Sequence, residues 1–339
     1  VVSNIRKPQT MKNLIYLLLV FTFISCKKEI PSFKKTQLKA SKIDSLNSVA
    51  SIENFIISND STLKGYKLKR IQDFEVTYNA EKTGVMIADS LNIQKSYYKA
   101  DFDNNGYQDL LVIGDFYSNN LMYPFVFLNY GKDSIKTINA KVNRHAFVVP
   151  KISIINREPF LEIYSADYVN YDIEKVKKRK EKLTFKYDNF IEYNPNPEIH
   201  DIERIEFSTT GCYGTCPVFD IDINSDKTAV FKPHYFNFSQ DNNAKEEKGI
   251  LKTKLKEKDF SEIIELLNYI DFPQLKNDYS VSWTDDQSCT LKITFDNGKV
   301  KTIKDYGLVG TYGLNRFYNM LFDLRKNQKW KWDTADNSQ

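Results

Sequence analysis

Two short stretches of this chain carry residue types at spacings that could do chemistry. The first is Asp101-Phe102-Asp103-Asn104-Asn105-Gly106-Tyr107-Gln108-Asp109. Hard Ca²⁺ takes about six to eight oxygen ligands. Alternate residues of a tight loop can aim Asp101, Asp103 and Asn105 at one centre. Gly106 permits the sharp turn, the Tyr107 carbonyl could add a backbone ligand, and Asp109 would close the shell. The bland alternative is a polar hairpin loop in which Asp, Asn and Gly only satisfy turn geometry. The second stretch is Gly211-Cys212-Tyr213-Gly214-Thr215-Cys216-Pro217. Cysteines four apart can be bridged across a turn but not along an extended strand. A structural disulfide, redox-active or sensing thiols, metal ligation and unpaired thiols all stay open on spacing alone. A thioredoxin-type motif has one residue fewer between its cysteines, and a zinc site needs further ligands that no second Cys pair supplies.

The acidic loop stands between two strand-like runs, Tyr97 to Ala100 and Leu110 to Gly114, and Val112 falls where an EF-hand needs Glu. This strand-loop-strand pattern resembles the calcium loops of integrin-type, FG-GAP or VCBS repeats over about 20 residues. The resemblance implies ligands at Asp101, Asp103, Asn105, Tyr107 and Asp109 and an ion that stiffens a β-structure without catalysing anything. The motif occurs once, which is too few repeats for a propeller. The Gly-Cys-Tyr-Gly-Thr-Cys-Pro signature, followed by a strand hairpin, resembles the bacterial domain of unknown function 6438 from about Ile205 to Leu324. That family implies no activity.

Residues Met11 to Cys26 read as a bacterial lipoprotein signal. A short basic start, twelve mostly apolar residues from Leu14 to Ser25 and a small residue before Cys26 have the form of a secretory signal. Twelve residues are too few to span a bilayer, which takes roughly 20. Cys26 would then carry acyl chains and tether the protein to a membrane. Residues 1–10 read as upstream sequence from a misplaced start, 11–25 as the signal peptide and 26–40 as a flexible tether. Lys27 and Lys28 lack an acidic cluster after Cys26, so the expected address is the outer membrane, facing the periplasm.

Removing residues 1–25 takes away Arg6, Lys7 and Lys12, so a formal charge of +4 falls to about +1. The remaining charges are interspersed, which argues against a nucleic-acid partner. The densest run, Glu174 to Lys182, reads as a solvated loop or exposed edge. A secreted chain of this length suggests two domains. Asn194-Pro195-Asn196-Pro197 marks the break, giving a β-rich domain at 41–193, a linker at 194–201, a second domain at 202–331 and a tail at 332–339.

The first domain opens with apolar residues at Ile43, Leu46, Val49, Ile52 and Phe55, read as one helix, then two hairpins about Asn156 to Pro159 and Asp188-Asn189. In the second, hairpins flank Asn224 to Lys227 and Asp296-Asn297-Gly298. Helices are expected around Phe260 to Ile270 and after a Thr311 cap. The fold class is α+β, the second domain being an antiparallel sheet with two helices on one face.

No P-loop, nucleophile elbow, His-Glu-x-x-His or dinucleotide fingerprint occurs. Cys289 reads as a buried thiol, with a swapped bridge to Cys212 or Cys216 as the competing assignment. His145, His200 and His234 stand apart from recognisable partners, and the 23 Phe and 21 Tyr mostly fill cores. The reading is a lipid-anchored cell-envelope protein of non-enzymatic, binding type, with an unknown protein or glycan partner, a structural calcium loop and a structural disulfide. The alternative is a redox-active or thiol-sensing envelope protein using Cys212 and Cys216.

Overall fold

Where apolar residues run without interruption, strands are buried on both faces; where they alternate, one face stays open. Both patterns occur in this chain. A computed structural model describes residues 38–117, 121–141, 147–169, 172–238 and 246–333. The signal segment and Cys26 lie outside the described residues, as do His145 and most of the tail. Among the described residues no helix is long and apolar enough to cross a membrane.

The chain runs α1 (Lys42–Ser45), α2 (Val49–Asn59), β1 (Tyr66–Leu68), α3 (Asn79–Ser90), β2 (Tyr97–Ala100), β3 (Asp109–Phe116), β4 (Tyr123–Asn129) and β5 (Ile135–Asn139). These strands form a five-stranded sheet ordered β1-β3-β4-β5, with β2 also on β3. Its central strands carry Leu110 to Ile113 and Phe125 to Leu128, all buried. One face packs under α1 and α2 through Leu110, Val112, Phe125 and Phe127. The other joins a second core with Leu111, Ile113, Val126 and Leu128.

That second core is shared with a four-stranded antiparallel meander, β6 (Phe147–Ile155), β7 (Glu158–Val169), β8 (Asp172–Lys186) and β9 (Asn189–Glu192). Helix α3 reaches it closely because Gly84 has no side chain: a Cβ there would stand 2.0 Å from the Phe147 ring.

The remainder is an eight-stranded sheet, β14-β16-β15-β10-β11-β12-β13-β17. Its strands are β10 (Ile202–Thr209), β11 (Val218–Asn224), β12 (Thr228–Tyr235), β13 (Leu251–Lys254), β14 (Asp278–Ser280), β15 (Ser288–Phe295), β16 (Lys299–Tyr306) and β17 (Lys331–Trp332). Helices α4 (Glu257–Tyr269) and α5 (Tyr312–Asn327) bury Ile263, Leu267, Leu314, Phe317 and Leu321 against Phe207, Ile221, Phe231 and Leu291 on one face. The opposite face carries ion pairs such as Arg204–Asp222 and Glu206–Lys292. The class is α+β.

Three local expectations need correction. The segment 43–55 is two helices, not one. Steps of three residues drift about 60° per step around a helix, so a single straight helix could not keep all five apolar residues inward. The chain leaves helical geometry at Leu46 and restarts at Ser48, whose side chain accepts a hydrogen bond from Ser51 N. Ile43, Leu46, Ile52 and Phe55 are thereby buried while Val49 is left 48 % exposed. The hairpin expected to turn over four residues at 156–159 turns over two, Asn156 and Arg157, both at positive φ, and Pro159 lies in β7. The eight-stranded sheet is antiparallel except at its edge, where β14 runs parallel to β16. The charged run 174–182 forms part of β8, paired only with β7, and is an exposed edge as anticipated.

The described residues all belong to one compact unit. The irregular stretch at 194–201 is fastened to α4: Asn194 Nδ2 donates to Tyr269 O (2.8 Å) and His200 N donates to Asn268 Oδ1 (3.1 Å). A second cross-link is made by Glu192, the last residue of β9. Its carboxylate accepts from Tyr312 N at 2.6 Å and Gly313 N at 2.8 Å, the first two residues of α5. Thr311, as expected, caps the same helix through Leu314 N. Burial pushes the Glu192 carboxyl upward, partly opposed by these amide donors. Replacing it by Ala leaves two helix-end donors without a partner, and Glu192→Ala is expected to lower stability by about 2 kcal/mol in urea denaturation.

Candidate functional site

The acidic loop bridges β2 and β3, flanked by the strands the sequence suggested. Asn104 and Gly106 both take positive φ, 56° and 88°, which folds the chain back on itself. Amides of the turn then converge on the first carboxylate: Asn105 N donates to Asp101 Oδ1 (3.0 Å) and Gly106 N to Asp101 Oδ2 (2.9 Å). Asp103 accepts from Asn105 N at 3.2 Å and from Asn105 Nδ2 at 2.8 Å. Asp109, at the start of β3, is fully buried and accepts from Phe102 N (2.7 Å) and Asn129 N (2.8 Å).

The result is a group of three carboxylates, Asp101, Asp103 and Asp109, with oxygens within 4.8 Å of one another. Among the described residues it is the one acidic, His or Cys group of this kind. Burial raises the Asp109 carboxyl to about 8, against two amide donors that pull the other way. Burial is also the largest cause raising Asp103, with Asp101 adding to it. Three clustered carboxylates short of compensating charge are an oxygen-only donor set, suited to a hard cation rather than to zinc or copper.

Two of the five anticipated ligands sit differently. Asn105 turns Nδ2, not its oxygen, toward Asp103, and its Oδ1 accepts from Tyr107 N at 2.7 Å. Acting as a ligand would require the amide to turn over. Tyr107 is held by that bond and by its ring, over which Lys39 Nζ stands 4.7 Å from the centroid. Lys39 also occupies the loop's outer carbonyls, with N to Gly106 O at 2.7 Å and Nζ to Asn105 O at 2.9 Å.

Asn129 and Lys39 were invisible to a reading of the motif. Asn129, at the end of β4, supports Asp109 through its amide and takes Asn105 Nδ2 on its carbonyl at 2.9 Å. Its only sequence signal is the turn-like Asn129-Tyr130-Gly131.

The cysteine pair lies in a separate place, in the loop from β10 to β11. Cys212 and Cys216 are bridged, with Cα atoms 5.7 Å apart. The loop is tied down from both sides. Gln287 Nε2 donates to Thr210 O (3.0 Å) and Pro217 O (2.7 Å), and Tyr213 N donates to Asp285 O (2.9 Å). Thr209 Oγ1 donates to Pro217 O at 2.9 Å. The Tyr213 side chain stands clear at 91 % exposure. Cys289 is free and buried on the helix-covered side, and burial lifts its thiol to about 12, which leaves it unreactive.

The two described histidines, His200 and His234, do have partners. His200 is packed between Phe272 and Phe295, with Nδ1 2.7 Å from Asp296 Oδ2. His234 Nε2 lies 2.9 Å from Asp220 Oδ2 on the open sheet face. Among the described residues, the side-chain partners of these two histidines are carboxylates rather than cysteines.

The architecture of the C-terminal part is thus a helix-covered sheet with a disulfide-closed loop at one end. Residues 203–325 match the family described as a domain of unknown function (DUF6438). Comparison with curated proteins and with solved structures gave no match.

The acid loop predicts a pH dependence with a definite sign. Asp109 ionises near 4 when unfolded and at about 8 when folded. Its stabilising contribution is therefore complete below about pH 4 and is lost as pH rises to about 8. In chelator-treated protein, the urea midpoint should fall between pH 5 and 8, and Asp109→Asn should reduce that slope by the equivalent of about one proton.

Proposed function

We propose that this is a lipid-anchored protein of the cell envelope whose parts bind a protein or glycan partner rather than catalyse a reaction. In this reading a calcium ion stiffens the 101–109 loop, and the Cys212–Cys216 bridge stiffens the other end of the chain. The observation that carries it is the convergence of Asp101, Asp103 and Asp109 on one point, one of them wholly buried, within a strand-loop-strand frame. Carboxylates held this close repel one another, and a divalent cation would relieve that repulsion. Asp101, Asp103 and Asp109 would hold the ion; Asn105 and Tyr107 are the further oxygen sources within the same turn. Nothing at the site resembles a nucleophile paired with a base, which favours a structural ion over a catalytic one.

The expected stabilisation follows mass action. Calcium at a hundred times its dissociation constant raises stability by about 2.7 kcal/mol. Thermal denaturation with calcium and with a chelator should therefore differ by several degrees, and Asp101→Asn with Asp103→Asn should remove the difference. Equal midpoints with and without calcium would sink the reading.

The lipid anchor rests on Met11 to Cys26. In a bacterial host, Cys26→Ser should abolish incorporation of labelled fatty acid and release the protein from membranes; persistent labelling overturns the assignment.

Redox chemistry at Cys212 and Cys216 is the competing reading, favoured by the position of the bridge in a loop whose neighbour Tyr213 is exposed. Thiol mapping across glutathione potentials separates the two. A bridge that survives well below about −300 mV is structural, and one that opens near about −200 mV is redox-active.

A further inference from the structure

The hairpin joining β6 to β7 ends in an apolar tip. Ile154 is 70 % exposed and Ile155 42 %, whereas Ile152, two residues earlier on the strand face of Ile154, packs against the core. Because successive strand residues point to opposite faces, the two isoleucines give the tip an apolar surface on both sides. Arg157 and Glu158 beside them offset each other in charge.

The position of this tip is set by register. Leu161 of β7 faces Leu183 of β8, so the start of β7 and the end of β8 lie at the same end of the meander. The β8–β9 turn there is joined to the five-stranded sheet: Lys136 Nζ donates to Asp188 O at 2.9 Å. Lys136, the second residue of β5, lies opposite Leu128, beside Asn129. Asn129 O holds Asn105 of the acidic loop, and Gly106 O in that loop holds Lys39 N. The first described residues of the chain and the Ile154–Ile155 tip are therefore at one end of the two sheets.

Lys39 follows Cys26 by thirteen residue steps. Fully extended, they span at most about 45 Å, so a chain acylated at Cys26 keeps this end within that distance of the bilayer. From this juxtaposition we propose that the Ile154–Ile155 tip inserts shallowly into the lipid interface. The occupant of the apolar tip is the membrane surface itself, and the near-neutral charge around it makes the contact hydrophobic rather than electrostatic. The proposal rests on the lipid-anchor reading above.

The test uses the chain from Lys27 with an N-terminal histidine tag, held on phosphatidylcholine vesicles containing a nickel-chelating lipid. A bimane probe is placed by Ile154→Cys, with Met86→Cys on α3 as control. Labelling is selective because Cys212 and Cys216 are bridged and Cys289 is buried. Met86 is 61 % exposed, on the helix whose Asn79 contacts Glu174 toward the other end of the meander. Expected are a blue shift and quenching by doxyl-labelled lipid at 154 but not at 86. In the untagged chain, Ile154→Asp with Ile155→Asp should weaken vesicle partitioning at least about tenfold, with little change between low and high salt. Solvent-like emission at 154, or equal quenching at both positions, overturns the proposal. Quenching at 154 in a protein not acylated at Cys26 in cells removes the anchor reading and leaves this one standing; acylation without quenching does the reverse.

Discussion

The Glu192 carboxylate, lodged against the first amides of α5, is the contact on which the arrangement of the two halves turns. Residue 192 closes the meander that shares a core with the acidic-loop sheet, while α5 is the long helix that covers the eight-stranded sheet. A helix start leaves amide hydrogens without intrahelical partners and carries partial positive charge, so a carboxylate is the natural cap. Here the cap comes from 120 residues upstream, which turns a local requirement of one helix into a long-range link. Around it, Tyr312 Oη donates to Ala140 O at 3.1 Å and Arg316 Nε to Tyr187 O at 2.6 Å. The α5 N-terminus therefore contacts the meander and the end of the five-stranded sheet at once.

The two chemically distinctive loops are stabilised in opposite ways. The disulfide loop is held by neutral hydrogen bonds from Thr209 and Gln287 and by a covalent link. The acidic loop uses its amides to gather negative charge into a partly dry place. Asp109 shows the consequence, since even two backbone donors do not offset its loss of water. Such an arrangement holds a site in shape while leaving it electrostatically unfinished.

Sequence reasoning was strongest where a rule acts within a few residues. Asn297-Gly298 marked the β15–β16 hairpin, Thr311 marked the start of α5, and the turn residues Asn224 to Lys227 marked the hairpin of β11 and β12. The spacing of Asp101, Asp103 and Asp109 likewise brought the carboxylates together as expected. Long-range contacts were not legible. Asn129 supports Asp109 from 20 residues away, and Glu192 shows no local pattern that distinguishes a helix cap from an ordinary strand glutamate. Strand β14, Asp278-Tyr279-Ser280, is too short for periodicity to register and is fixed by its parallel pairing with β16. The break between α1 and α2 was concealed because an apolar residue every third position resembles a helix until the drift of the pattern is followed.

The outer edge of β8 has a consequence for how copies of this protein meet. Between Glu174 and Lys182, six of nine residues are Lys or Arg, and the run's strand pairing is with β7; at its two ends Glu174 O accepts from Asn79 Nδ2 (3.3 Å) and Lys182 O from Tyr193 N (2.8 Å). An unpaired strand edge is a template for joining another chain. A second β8 laid alongside would crowd Lys and Arg side chains at the middle of the new ribbon, and their repulsion would oppose the backbone hydrogen bonds it gained. The charge run thus works against the joining of one molecule's sheet to another's.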